Sequence, residues 1–250
     1  MPCPQRGRPL PATGKETREI EHIWEKHAAD ESEAPDGVLD LRDAAATETT
    51  LKSSAAGRRV LHLATHGFFL DGEACGSPLA TARGIGGLAE APAAAAGETA
   101  QPVNGENPLL LSGLVLAGAN HRASAGSGED DGILTAEEIA SLDLSGVEWA
   151  VLSACETGVG NVRAGEGVFG LRRAFQVAGA GTLIMSLWSV DDEATRSWMR
   201  ELYEGRLEKK LDTAEAVRRA SLEILRDRRA QRKSTHPFYW AAFVAAGDWR

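Results

Sequence analysis

Residues 60–69 read VLHLATHGFF, and this stretch decides the fold class. Its first five residues are almost wholly apolar, as is typical of a strand buried on both faces of a sheet. The run then reaches His66 and Gly67, an ionisable side chain followed by the smallest residue. The stretch therefore predicts a buried parallel strand that ends in a small-residue loop carrying an imidazole.

Two later stretches have the same form. Residues 147–152 (VEWAVL) are followed by SACETG, which contains Cys155, and residues 181–187 (GTLIMSL) are followed by WSVDD. The sequence predicts helices between the strands and a short strand or extended piece near each end of the chain. It also predicts two capping boxes, one formed by Thr13 and Glu16 and one by Thr135 and Glu138. The predicted helices are 13–29, 47–56, 134–139, 165–177, 193–209 and 213–228, and the short strands are 38–41 and 239–245. Strands that alternate with helices predict an α/β fold with a mostly parallel sheet covered on both faces.

His66 and Cys155 follow two of these strands, and this placement predicts a nucleophilic site. Parallel strands form their sites at their carboxyl ends, so neighbouring strands would bring the imidazole and the thiol together. The thiolate is the nucleophilic form of cysteine, and an imidazole can take up its proton and later protonate a leaving amine. The backbone N–H groups of Gly67 and Cys155 are the candidate donors to a tetrahedral oxyanion.

Each member of this pair has an alternative interpretation. Cys155 could be a buried core cysteine, which is common for free thiols. His62 lies four residues before His66 and would share its face in a regular strand, so it is the rival candidate for the base. Because His62 lies inside the apolar run, we expect it to be packed and hydrogen-bonded.

The motifs HLATHGFF (62–69) and VLSACETG (151–158) resemble the histidine and cysteine motifs of the CHAT peptidases. These are caspase-like proteins of the clan that includes caspases, separases and gingipains. The resemblance continues through residues 107–120, 134–144, 165–192 and 236–249. It implies a three-layer αβα sandwich, a His66–Cys155 dyad, and cleavage of a partner protein through a thioester without a metal or organic cofactor.

The dyad candidates are 89 positions apart, against roughly 50 in caspases. Residues 71–106 account for the excess, because 20 of these 36 residues are Gly, Ala or Pro and no helical or strand periodicity is present. We interpret them as a flexible insertion, and 53 positions remain without it. The predicted organisation is a disordered tail at 1–9 and one peptidase domain at 10–250.

The residues that follow the cysteine strand and the third strand are candidates for a substrate pocket. Glu156 lies next to the candidate nucleophile, where it could contact substrate or simply be a loop carboxylate. A carboxylate at Asp191 or Asp192 could bind a basic P1 side chain, although we expect one of the two to cap the next helix. Trp188 and Ser189 are candidate pocket walls, and Trp188 would equally suit the core.

Composition excludes several classes. Asp and Glu number 36 against 27 Lys and Arg, so direct nucleic-acid binding is not expected. No apolar run reaches the length of a membrane span, and three cysteines without a CxxC pair fit a reducing cytoplasm and no zinc site. The glycines of GEGVFG (165–170) only loosely resemble a nucleotide loop. The expected partners are a protein or peptide substrate and an upstream repeat, sensor module or activator; the alternative is a catalytically silent interaction module.

Overall fold

The structure is a computed structural model, and it describes residues 10, 12–31, 37–69, 108–110, 112–124, 126, 130–153, 170–188 and 190–248. Within these residues, the strands are β1 (Val60–Leu63), β2 (His66–Phe69), β3 (Ser112–Val115), β4 (Ile133–Thr135), β5 (Trp149–Leu152), β6 (Thr182–Ser186) and β7 (Phe243–Gly247). The α-helices are α1 (Thr13–Glu31), α2 (Glu48–Ser54), α3 (Ala136–Ala140), α4 (Gly170–Ala178), α5 (Asp192–Tyr203) and α6 (Thr213–Ala230). A π-helical turn, Glu204–Glu208, extends α5.

The main sheet has the order β1-β5-β6-β7, with the first three strands parallel and β7 antiparallel. Alternate side chains of its strands enter two different cores, as strand geometry requires. Ala150 and Leu152 of β5 pack in the core that contains α3 and α4, whereas Trp149 and Val151 pack in the core that contains α1, α5 and α6. The three-layer αβα sandwich with a mostly parallel sheet is therefore confirmed.

A second, antiparallel sheet with the order β2-β3-β4 begins directly after β1. The expected loop at His66 and Gly67 was wrong, because both residues lie in β2. Phe68 anchors this strand with 3% of its surface exposed, and it pairs in register with Gly113 of β3. A Cβ at Gly113 would lie 2.4 Å from the Leu134 carbonyl oxygen and 2.8 Å from the Phe68 ring, so only glycine fits there.

Two more predictions at the ends of elements were wrong. Residues 38–41 form no strand, and Val38 and Leu39 are exposed. The last strand lies at 243–247, because the chain before it forms a 3-10 turn in which the Phe238 N–H donates to His236 Nδ1.

The predicted capping box was found at α3 but not at α1. Thr135 and Glu138 form the expected capping box of α3, which itself is shorter than predicted because the chain before it pairs as β4. At the start of α1, Thr13 Oγ1 donates instead to the Leu10 carbonyl oxygen, and Glu16 contacts another element, described below. The proposed tail 1–9 and insertion 71–106 lie outside the described residues. Among the described helices, none combines the length and the apolar character that crossing a membrane requires.

Candidate active site

The two strands that precede the dyad candidates end side by side. The Ser153 N–H, just after β5, donates to the carbonyl oxygen of Leu63, the last residue of β1, at 3.0 Å. In the sequence, His66 follows Leu63 by three positions and Cys155 follows Ser153 by two. Cys155 and its neighbour Glu156 lie outside the described residues.

His66 lies where the chain passes from the main sheet into the small one. It is half-buried and pairs in register with Val115 of β3. The hydroxyl of Thr65 donates to the Val115 carbonyl oxygen, which fixes the backbone between the two sheets. Gly67 pairs with Leu114, and among the described strands β3 is the neighbour of β2, so alternate backbone N–H groups of β2 point away from β3.

His62 has the packed, hydrogen-bonded environment that its place in the strand predicts. Its Nε2 lies 2.8 Å from Glu16 Oε1 and its Nδ1 lies 3.1 Å from the Tyr203 hydroxyl. Burial, together with the negative charge of Glu16, raises the pKa of Tyr203, so its hydroxyl keeps its proton. Both ring nitrogens are thus held by α1 and α5, which favours His66 over His62 as a base.

The two aspartates at the start of α5 have different partners. Asp191 caps the helix, because its Oδ1 accepts the Ala194 N–H at 3.1 Å. Asp192 Oδ2 accepts the N–H of Ala12 at 2.8 Å, which ties the chain before α1 to the start of α5. The expectation that one of the pair caps the helix is confirmed.

Asp192 also faces a small cavity of about 10 Å³ at the carboxyl ends of β5 and β6. The other lining residues are Leu10, Ser153, Ser186, Val190, Thr195 and Phe243. The Ser153 hydroxyl is buried and has no hydrogen-bond partner among the described residues. A cavity of this size holds about one water molecule. Sequence reasoning missed Ser153 and Leu10 as neighbours of Asp192, although Ser153 directly follows an apolar strand, and polar residues at such strand ends often line sites.

Trp188, a predicted pocket wall, contacts Phe238 in the segment before β7. Its Nε1–H donates to the Phe238 carbonyl oxygen at 2.9 Å, and its ring stacks on the Phe238 ring with centroids 6.4 Å apart. Ser189 lies outside the described residues. The structure therefore brings Asp192 and Ser153 to one cavity and places Trp188 against the segment before β7.

A second polar cluster lies around Lys52 of α2. Its ammonium is 3.2 Å from Glu48, 2.7 Å from Asp130 and 2.9 Å from Glu138. Burial raises the pKa of Glu48 to about 7, even though Lys52 acts in the opposite direction. Because the lysine supplies the positive charge, we interpret this cluster as an ion-pair network that fastens α2 to α3. Sequence analysis missed it, although the i,i+4 spacing of Glu48 and Lys52 was a signal.

A three-layer sandwich in which histidine and cysteine motifs follow adjacent parallel strands defines the caspase-like class of α/β proteins. The family model described as CHAT domain matches residues 3–248, and the chain belongs to this caspase-like family. No curated protein gives a significant match to the chain.

Proposed function

We propose that this chain is a cysteine endopeptidase in which His66 and Cys155 form the catalytic dyad. The observation that carries the proposal is the hydrogen bond from Ser153 to Leu63, since it joins the ends of the two strands from which the dyad residues follow. The engagement of His62 by Glu16 and Tyr203 supports the assignment of the base to His66.

The proposed reaction is acyl transfer followed by hydrolysis. His66 takes the thiol proton of Cys155, and the thiolate sulfur attacks the peptide carbonyl carbon. The N–H groups of Gly67 and Cys155 hold the oxyanion while the C–N bond breaks and His66 protonates the amine. Water then adds to the thioester, which releases the acid and restores the thiol. The sequence of steps requires neither a metal ion nor an organic cofactor.

Asp192 is the acidic residue that we assign to recognition of a basic P1 side chain. It shares a cavity with Ser153, two positions before Cys155, whereas Asp191 is exposed and caps α5. A basic side chain would have to displace Leu10 and take over the hydrogen bond that the Ala12 N–H now makes with Asp192. We also assign substrate contacts in the pocket, from sequence position alone, to Glu156, Trp188 and Ser189.

The substrate in this proposal is a partner protein cleaved at limited sites. An upstream repeat, sensor module or activator protein would control the cleavage, as the family resemblance implies. A reducing compartment such as the cytoplasm suits the proposal, because a free thiolate at Cys155 would persist there.

Active-site labelling tests the dyad. Peptidyl electrophiles with Arg, Lys, Leu or Asp at P1 are added to the full chain, and peptide mapping locates the adduct. We expect labelling at Cys155 and not at Cys3 or Cys75. Replacing His66 by Ala should slow the labelling by about 10³-fold or more, while His62→Ala should slow it far less in protein that remains folded. Equal labelling of all three cysteines would contradict the dyad.

The same reagents test the pocket with a matched pair of variants. Asp192→Asn should lower the preference for Arg and Lys over Leu by about tenfold or more, because a charged hydrogen bond is lost. Asp191→Asn should leave the preference unchanged, since that side chain faces solvent and the helix end. Equal preferences in both variants would remove Asp192 from the pocket.

A second candidate function is a catalytically silent interaction module. The observation that favours it is that, among the described residues, β1 pairs with a strand on one side only, which leaves its other side for a partner. Folded protein that shows no dyad-dependent labelling would support this alternative.

A further inference from the structure

The cavity beside Asp192 is too small for the basic side chain that we assign to it. Its volume of about 10 Å³ holds about one water molecule. A lysine side chain carries a four-carbon stem as well as its ammonium group, and an arginine side chain is longer still. Recognition of a basic P1 residue therefore requires that one wall of the cavity moves.

The walls of the cavity differ in how easily they can move. Four of the lining residues are buried in the fold: Ser153, Ser186, Thr195 and Phe243. Val190 lies in the short connection between β6 and α5. Leu10 is half-buried and precedes α1, outside any helix or strand. It is therefore the wall that can withdraw without disturbing a helix or a strand.

Leu10 and Ala12, which we call the strap, close the cavity from the side of α1. Leu10 lines the cavity, and the Ala12 N–H donates to Asp192 Oδ2 at 2.8 Å. The Leu10 carbonyl oxygen in turn accepts the Thr13 N–H at 3.2 Å and the Thr13 hydroxyl at 2.7 Å. The strap thus occupies both the space and the carboxylate oxygen that a basic side chain needs.

Helix α1 is a fixed support behind the strap. Arg196 Nε of α5 donates to Glu19 of α1 at 3.1 Å, and Glu16 lies 2.8 Å from His62 Nε2 of β1. The apolar face of α1 is buried in the core that contains α5 and α6. Withdrawal of the strap can therefore leave α1 in place, because it breaks only the few hydrogen bonds at the start of the helix.

We propose that the strap is an autoinhibitory element, which closes the P1 pocket until the chain before α1 is drawn away. The proposal rests on the proposed role of Asp192 in recognising a basic P1 side chain. A guanidinium or ammonium group replaces the Ala12 N–H as the donor to Asp192, and a charged donor binds a carboxylate more strongly than an amide does. Substrate and strap compete for one carboxylate, so an activator that binds the chain before Leu10 would favour substrate.

Binding of a small cation to the full chain tests the strap without relying on catalysis. The probe is n-propylguanidinium, an analogue of the arginine side chain, and n-propylurea is its neutral counterpart. Leu10→Ala shortens the wall, and Ala12→Pro removes the competing N–H. We expect each variant to bind propylguanidinium about tenfold or more tightly than the wild type in NMR titrations, because the open state is more populated. Propylurea should gain far less, since it carries no charge.

Amide hydrogen exchange reports the displacement directly. Saturating propylguanidinium should speed exchange of the Ala12 amide in the wild type by about tenfold or more, because this N–H loses its acceptor. Adding Asp192→Asn to either strap variant should abolish the gain in affinity.

Leu39→Ala is the matched control for Leu10→Ala. Leu39 is 47% exposed and does not line this cavity, so its replacement should leave binding unchanged. Thermal unfolding checks that each variant is folded. Leu10→Ala keeps every backbone N–H group, so it decides the test if Ala12→Pro does not fold.

Equal affinity for propylguanidinium in the wild type and the folded strap variants would overturn the proposal, and so would a gain that survives Asp192→Asn. The peptidase proposal fails separately. Equal labelling of all three cysteines together with a gain in binding would refute the dyad and leave the strap. Selective labelling of Cys155 with unchanged binding would refute the strap alone.

Discussion

Strands β1 and β5 are neighbours in register, and their apolar sequences VLHL and WAVL are nearly equivalent. All four residues of β5 are buried, whereas in β1 only Leu61 is. The difference comes from pairing, because among the described strands β5 has a neighbour on each side, whereas β1 has one neighbour and borders a cavity of about 770 Å³. An apolar sequence therefore predicts that a strand can be buried, whereas the position of the strand in the sheet determines how many of its side chains are buried.

The largest expected effect distinguishes Leu152 from Leu63, which face each other in the β1–β5 register. Leu152 is fully buried, so Leu152→Ala should lower the free energy of unfolding by about 4 kcal/mol. Leu63 is half-buried, so Leu63→Ala should lower it by about 2 kcal/mol. Urea unfolding of both variants measures the difference. Equal losses would mean that the margin of the sheet is as tightly packed in solution as its centre.

The next effect concerns His62 and Val151, which also face each other in register. Val151 needs no polar partner, whereas His62 is held by Glu16 and Tyr203. Glu16→Leu should cost about 3 kcal/mol of unfolding free energy, because it leaves the imidazole without its main partner. The double variant Glu16→Leu/His62→Leu should be more stable than Glu16→Leu alone, since it removes both polar groups. Thermal unfolding of the two variants provides the comparison, and additive losses would contradict a coupled pair.

Sequence reasoning succeeded where the signal was local. The apolar runs located β1, β5 and β6, and the Thr135–Glu138 spacing gave the cap of α3. The burial of Glu16 could have been predicted, because Glu16 shares a helix face with the buried residues Ile20 and Ile23.

The contacts that were missed join residues far apart in the chain. Ala12 and Asp192 are separated by 180 positions, and no local pattern predicts their hydrogen bond. The position of His66 in β2 depends on pairing with β3, across the insertion at 71–106. Sheet order is equally non-local, so neither the place of β1 at the margin of the described sheet nor the cavity beside it could be predicted from the sequence. The assignment of Cys155 as the nucleophile is based on its sequence motif and on the position of the strand that precedes it.

The smallest expected effect is a pH dependence confined to the margin of the sheet. Glu48 lies on α2, which lines the cavity beside β1, and burial raises its pKa to about 7 in the folded chain from about 4.5 when exposed. Between these two values the folded chain binds more protons at Glu48 than the unfolded chain does. Stability from this group is therefore present at low pH and is lost as the pH rises toward 7.

Glu48→Gln removes this titration, and the free energy of unfolding measured from about pH 5 to about pH 7.5 checks it. In the wild type, Glu48 should contribute a fall on the order of 2 kcal/mol across this range, and the variant should lack that component. Glu137→Gln is the matched control, because it makes the same change at an exposed position of α3. The pH range stays above the region in which Asp130 of the same cluster titrates. Hydrogen bonds from Lys52 and Thr49 lower the pKa of Asp130, so this carboxylate keeps its charge throughout the measurement. A wild-type slope that persists in Glu48→Gln would mean that other groups produce it, and hence that burial does not raise the pKa of Glu48 in the folded chain.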